Sequence, residues 1–167
     1  MEMILVSGCL LGQPVRYDGR DKLSEDALLL RWRSEGRLVS YCPEIGGGLP
    51  VPRRPAEIIG AGGGTGVLDG CARVVTDTGL DVTDAFVRGA HRALQAAERA
   101  GARMAVLKES SPSCGSSRIY DGTFTGTASP GVGVTTALLE QHGIHVFSEN
   151  DLHRAAEHLT RLETADT

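Results

Sequence analysis

Ile4-Leu5-Val6-Ser7-Gly8-Cys9 sets the pattern for the chain. Three apolar residues, two of them β-branched, run directly into Ser-Gly and a cysteine. This is the pattern of a short buried strand ending in a loop. It recurs twice. Arg37-Leu38-Val39-Ser40-Tyr41 ends at Cys42-Pro43, and Met104-Ala105-Val106-Leu107-Lys108 leads into Ser110-Ser111-Pro112-Ser113-Cys114-Gly115. Residues 72–75 and 144–147 read as further strands. Helical signals fall between them. Ser24, followed by Glu25 and Asp26, caps a helix that should stop near Gly36. Asp81 opens a second helix, whose Phe86, Val87, Ala90, Leu94 and Ala97 share one face and which Gly101 ends. Residues 131–142 and 151–162 read as two more. Strands alternating with helices predict an α/β, three-layer Rossmann-like fold with a mainly parallel sheet and helices on both faces. In such sheets ligands sit beyond the carboxyl ends of the strands. Cys9, Cys42 and Cys114 each follow such an end, so three cysteines distant in sequence are expected to converge on one rim.

The bulk numbers bound the function. A length of 167 residues fits one domain spanning 1–167, and 41% hydrophobic with 23% charged residues describes an ordinary globular chain. A net charge of -4 argues against a general nucleic-acid or anionic-membrane binder. With three tyrosines, three phenylalanines and one tryptophan, a broad base-stacking surface is not expected. No run is long enough to span a bilayer, and the first residues lack the features of a signal peptide. The expectation is a cytoplasmic protein, where four cysteines favour metal or catalytic use over disulfides. The 22 glycines cluster in loops, above all in a Gly/Pro-rich stretch over 45–70, read as one long loop of functional interest. The tail at 163–167 is expected to fray.

Several chemistries suit three rim cysteines. Structural zinc usually shows close Cys-x-x-Cys pairs, and none is present. The histidines, at 91, 142, 145, 153 and 158, avoid the rim motifs. A cysteine nucleophile needs a base and a lowered pKa, and would account for one cysteine rather than three. An iron–sulfur cluster takes thiolates as its usual ligands, and a cubane with three protein thiolates leaves one iron open. Cys71, at the start of a strand on the opposite end, reads as a small buried hydrophobe.

Four segments together are specific. They are Ser7-Gly8-Cys9-Leu10-Leu11-Gly12 with Tyr17-Asp18-Gly19; Cys42-Pro43-Glu44-Ile45-Gly46-Gly47-Gly48-Leu49 with Pro52-Arg53-Arg54-Pro55; Lys108-Glu109-Ser110-Ser111-Pro112-Ser113-Cys114-Gly115; and Asp121-Gly122-Thr123-Phe124-Thr125-Gly126. In this order, across 3–149, they resemble the 2-thiouracil desulfidase family. The resemblance implies a [4Fe-4S] cluster bound by Cys9, Cys42 and Cys114 with one open iron. It also implies removal of sulfur from a small thiocarbonyl compound, giving the oxo product and sulfide, with Glu44 and Ser111 in catalysis. The rival expectation is a non-catalytic iron–sulfur or zinc-binding protein. Around these residues, one of Arg53 and Arg54 is expected to face the cluster and the other to pair with Glu57 or solvent. Lys108 and Glu109 read as supporting partners of the site or a surface pair. Ser7, Ser113 and Ser116 are candidate donors to sulfur. Asp121-Gly122 reads as a turn.

Overall fold

The computed structural model describes every residue from Met1 to Thr167. Its elements run β1 (Ile4–Ser7), a 3-10 turn (Gly8–Leu11), α1 (Ala27–Ser34), β2 (Leu38–Tyr41), α2 (Pro43–Gly46), β3 (Ala56–Gly60), α3 (Gly63–Leu68) and β4 (Ala72–Thr76). There follow α4 (Thr83–Ala100), β5 (Met104–Leu107), β6 (Arg118–Tyr120), β7 (Ala128–Pro130), α5 (Val134–Gln141), β8 (His145–Ser148) and α6 (Leu152–Ala165). Four strands form the central sheet, in the order β2-β1-β5-β8, and every pair is parallel.

Strand side chains alternate between faces, and the burial follows that alternation. Leu5, Ala105, Leu107 and Val146 pack with Phe86, Ala90, Leu94, Val134 and Leu138 of α4 and α5. Ile4, Val6, Met104 and Val106 pack on the other side with Leu29 and Trp32 of α1 and Leu152, Ala155 and Leu159 of α6. The expected three layers are therefore present. The chain steps from β1 to β2 on one side and then crosses to β5 on the other. The switch point, where a crevice opens, lies beyond the carboxyl ends of β1 and β5. The opposite edge is closed by ion pairs. The Glu2 carboxylate accepts from Arg103 Nη2 at 2.7 Å, and Arg37 Nη1 donates to Glu163 at 2.9 Å.

Several expectations need correction. The stretch 45–70 is not one loop: it takes in the end of α2 and all of β3 and α3. Glycine-rich α3 (GGTGVL) has poor intrinsic helix propensity, but tertiary packing overrides it. A Cβ on Gly64 would stand 2.2 Å from the Gly133 carbonyl oxygen, so only glycine lets α3 lie against the start of α5. The strand at 72–76 lies outside the central sheet and pairs antiparallel with β3. Asp26, not Ser24, caps α1, accepting from the Leu28 N–H at 2.9 Å. The last helix continues to Ala165, through most of the tail expected to fray. Cys71 is exposed rather than buried.

One close approach positions the site. The short helix α2 lies against α4 at Gly47 and Gly89. A Cβ on Gly89 would meet the Pro43 carbonyl oxygen at 1.9 Å, and one on Gly47 would meet the Ala85 oxygen at 2.0 Å. Arg88 and Arg92 of α4 donate to the carbonyls of Gly47 and Gly46, closing the exposed end of α2. Backbone oxygens cannot yield as a flexible side chain can. Gly89→Ala is therefore expected to cost about 1–3 kcal/mol of stability, read as a lower urea midpoint at unchanged m-value. An unchanged midpoint would mean that α2 is free to drift.

Candidate active site

A cavity of about 410 Å³ opens at the switch point, within the size range of small-molecule sites. Its walls include Cys9, Cys42 and Cys114 together with Glu44 and Ser111. All five residues singled out in the sequence are thus brought to one place. Cys9 sits in the 3-10 turn after β1, and Cys42 is the residue before α2. Cys114 lies in the loop after β5, its carbonyl held by the Thr136 hydroxyl at 3.0 Å. No histidine lines the cavity.

The thiols share one electrostatic problem. Burial, then the neighbouring Cys42, pushes Cys9 up to about 11, against the opposing charges of Lys108 and Arg16. Burial, then Cys42, also raises Cys114, while the nearby Ser7 hydroxyl opposes the rise. Burial raises Cys42 as well, against the N–H groups of Ile45 and Glu44 at the start of α2. These environments do not suit an activated nucleophile, whose thiol pKa must fall. They do suit soft donors waiting for a cation, which would hold all three as thiolates. No three His, Cys, Asp or Glu side chains close around one point as a single metal ion would require.

Glu44 stands in the first turn of α2. Burial raises its pKa, and the Arg53 guanidinium opposes the rise. Arg53 Nε donates to Glu44 Oε1 at 3.1 Å, and Arg53 Nη2 donates to the Val15 carbonyl at 3.0 Å. The Cys42 thiol also faces that carbonyl, at 3.9 Å. Of the two arginines, Arg53 belongs to the site. Arg54 pairs with Asp77 at 2.8 Å, not with Glu57. Ser111 Oγ accepts from the N–H groups of Ser113 at 3.1 Å and Cys114 at 3.2 Å. With its acceptor capacity taken up, the hydroxyl proton is available to donate. Ser113 is buried against Thr135 at 2.9 Å, and Ser116 bonds Glu109. Of the three serines considered as sulfur donors, Ser7 is the one that opposes the rise at Cys114, and its Oγ accepts from the Lys108 N–H at 3.0 Å.

Comparison with known proteins follows this geometry. The family model described as 2-thiouracil desulfurase matches residues 4–151. The chain belongs to the 2-thiouracil desulfurase family. A Bacillus subtilis (strain 168) relative, the uncharacterized protein YbbK, is 49% identical over 150 residues, covering 90% of this chain and 97% of its own. A solved structure of the [4Fe-4S]-dependent thiouracil desulfidase TudS superposes with a TM-score of 0.87 at 51% identity, covering 96% of this chain and 99% of the other.

Within this desulfurase-family chain, Glu109 is the residue whose importance the sequence did not rank. Its carboxylate accepts six hydrogen bonds: from the N–H groups of Ser110, Ser116, Ser117 and Arg118 at 2.9–3.2 Å, and from the Ser116 and Ser117 hydroxyls at 3.1 and 2.9 Å. This grip holds both ends of the loop carrying Ser111 and Cys114, and Ser110 within it has a φ of 69°. Lys108 Nζ meanwhile pairs with Glu149 at 3.0 Å. Glu109 is buried, which alone would raise its pKa, but the donors outweigh burial and lower it to about 2. As pH falls from the ordinary value of 4.5 toward 2, the unfolded chain takes up a proton that the folded chain refuses. The stabilisation is therefore complete at neutral pH and disappears over that interval. Glu109→Gln should lose about 1.5–3 kcal/mol at pH 7, the worth of a hydrogen bond to a charged group. Thermal melts of the two proteins in the same metal state should converge as the pH approaches 2. A gap independent of pH would show that the charge is not what holds the loop.

Proposed function

We propose that this chain is an iron–sulfur-dependent desulfidase acting on a small thiocarbonyl compound of the 2-thiouracil type, with Cys9, Cys42 and Cys114 holding a [4Fe-4S] cluster that keeps one iron open. One observation carries the reading: three thiols, two buried and one half-buried, share a cavity with the Arg53-paired Glu44 and with Ser111. The donor set fits the group. Thiolates are the usual cluster ligands, and Cys9, Cys42 and Cys114, which line the cavity together, would supply three of them. The family match and the likeness to TudS support the same reading. No helix is long and apolar enough to cross a membrane, and a free small molecule is the substrate we favour.

The net reaction exchanges C=S for C=O. Water supplies the oxygen, its two hydrogens leave with the sulfur as hydrogen sulfide, and nothing is oxidised. When bound, the cluster supplies a soft Lewis acid for the thiocarbonyl sulfur. Glu44 takes the proton from the attacking water, since burial raises its affinity for one. Arg53 keeps that carboxylate at a fixed orientation through Nε. Ser111, its acceptor sites occupied by two backbone N–H groups, donates its hydroxyl proton into the cavity and orients water or the substrate oxygen.

Anaerobically reconstituted protein is expected to release sulfide from 2-thiouracil. Cys9→Ala, Cys42→Ala and Cys114→Ala should each lose iron and activity, while Cys71→Ala keeps both. Glu44→Gln should retain iron and lose roughly 10²–10⁴-fold in kcat, the range for a general base. An iron-loaded wild type that releases no sulfide would favour a non-catalytic iron–sulfur protein.

A further inference from the structure

The chain has seven aromatic residues among phenylalanine, tyrosine and tryptophan. Four of them, Tyr17, Tyr41, Tyr120 and Phe124, line the one cavity that also holds the thiols. A small core normally claims its aromatics, and here Phe86 and Trp32 are buried in that way. Phe124 is placed differently. It stands at the tip of the connection between β6 and β7 with a φ of 58°, in the left-handed region. That conformation costs a phenylalanine on the order of 1–2 kcal/mol, a cost a glycine would avoid. A strained position occupied by a large ring invites a functional explanation.

The tip is built to hold that strain. Glu57 of β3 is buried, and its Oε1 accepts from the N–H groups of Gly122 at 2.9 Å and Phe124 at 3.2 Å. Gly122 presses onto the same strand: a Cβ there would lie 2.8 Å from the Ile58 carbonyl oxygen. On the outer side the hydroxyls of Thr123, Thr125 and Thr127 form a chain, with separations of 2.6 and 3.0 Å. Asp121 closes the base, its N–H donating to the Thr127 carbonyl at 3.0 Å. The tip is thus fixed from both sides before any ligand arrives, which is how a binding surface avoids an ordering penalty.

We propose that Phe124 is a specificity-determining residue: its ring is the wall on which a planar heteroaromatic substrate stacks, and Glu57 is the positioning residue that sets the wall. This rests on the desulfidase reading and names the selector within that site. Stacking needs a flat π-face and no particular ring substituents. The site therefore accepts planar thiopyrimidine-like rings and discriminates against saturated, puckered ones carrying the same thiocarbonyl edge.

The test compares 2-thiouracil with 5,6-dihydro-2-thiouracil, which keeps the N–C(=S)–N edge and loses planarity. Reconstituted wild type should prefer the planar compound in kcat/KM. Phe124→Ala and Phe124→Leu should lower that preference about tenfold, mainly through KM for the planar substrate, at unchanged iron content. Phe124→Trp should restore it. Glu57→Ala should lower the preference in the wild-type background and add nothing to Phe124→Ala. A preference unchanged in Phe124→Ala, or lost equally in Phe124→Trp, overturns the proposal. An additional loss on combining Glu57→Ala with Phe124→Ala overturns the role of Glu57. Binding of uracil against 5,6-dihydrouracil, followed by NMR titration, reads ring selection without turnover. A Phe124-dependent preference for uracil in a protein that releases no sulfide would reject the desulfidase reading and keep the selector. Sulfide release without such a dependence would do the reverse.

Discussion

The constraint on which the site depends is that β2, β1 and β5 are neighbours and parallel. Parallel neighbours place all their carboxyl ends on one edge, so whatever follows each strand meets whatever follows the others. The reversal of strand order beside β1 opens a crevice there, and each of the three following segments delivers one cysteine to it. Had β2 run antiparallel to β1, Cys42 would lie at the far edge beside Glu2 and Arg103, near the ion pair by which Arg37 ties the amino end of β2 to Glu163 of α6.

The sheet brings the segments together, but charged and polar groups fix them in place. The segment from Val15 to Tyr17 is held by Arg53, which bridges the Val15 carbonyl and the Glu44 carboxylate and whose own N–H donates to the Tyr17 carbonyl at 2.7 Å. Glu57 holds the tip between β6 and β7, and Glu109 holds the loop between β5 and β6. In each case a buried charge faces main-chain groups that would otherwise lack partners, the arrangement in which burying a charge is tolerable. The cavity is consequently a rim of loops ordered by Arg53, Glu57 and Glu109 together with the apolar packing of Cys9, Leu10, Cys114 and Ile119.

The parts of this arrangement that obey simple periodicities were legible in the sequence. A strand running into Ser-Gly-Cys or Cys-Pro identifies its own end, so the meeting of Cys9, Cys42 and Cys114 followed from alternation of strands and helices. β3 was hidden because its five residues lie between prolines and glycines, and α3 because its helix depends on Gly64 fitting against Gly133. β4 reads as a strand in the sequence but not as half of an antiparallel ribbon, since partner choice depends on contacts that a strand's own residues do not encode. The division of roles between Arg53 and Arg54 could not be read from adjacent identical side chains: it depends on which one the turn directs inward. The weight of Glu109 is hidden in the sequence for a related reason. Four of its six partners are peptide N–H groups, which every non-proline residue possesses and which therefore leave no trace in residue types.

That last property has an evolutionary consequence. A clamp that grips the main chain makes no use of the side chains at Ser110 and Arg118, so Ser110 can be exchanged within the set of residues, such as Gly, Asn and Asp, that tolerate its left-handed φ of 69°. Ser110 lines the cavity directly. Mutations there can reshape the interior while Cys114 stays where the peptide grid holds it, so that drift in the shape of the cavity is uncoupled from loss of the cysteine frame.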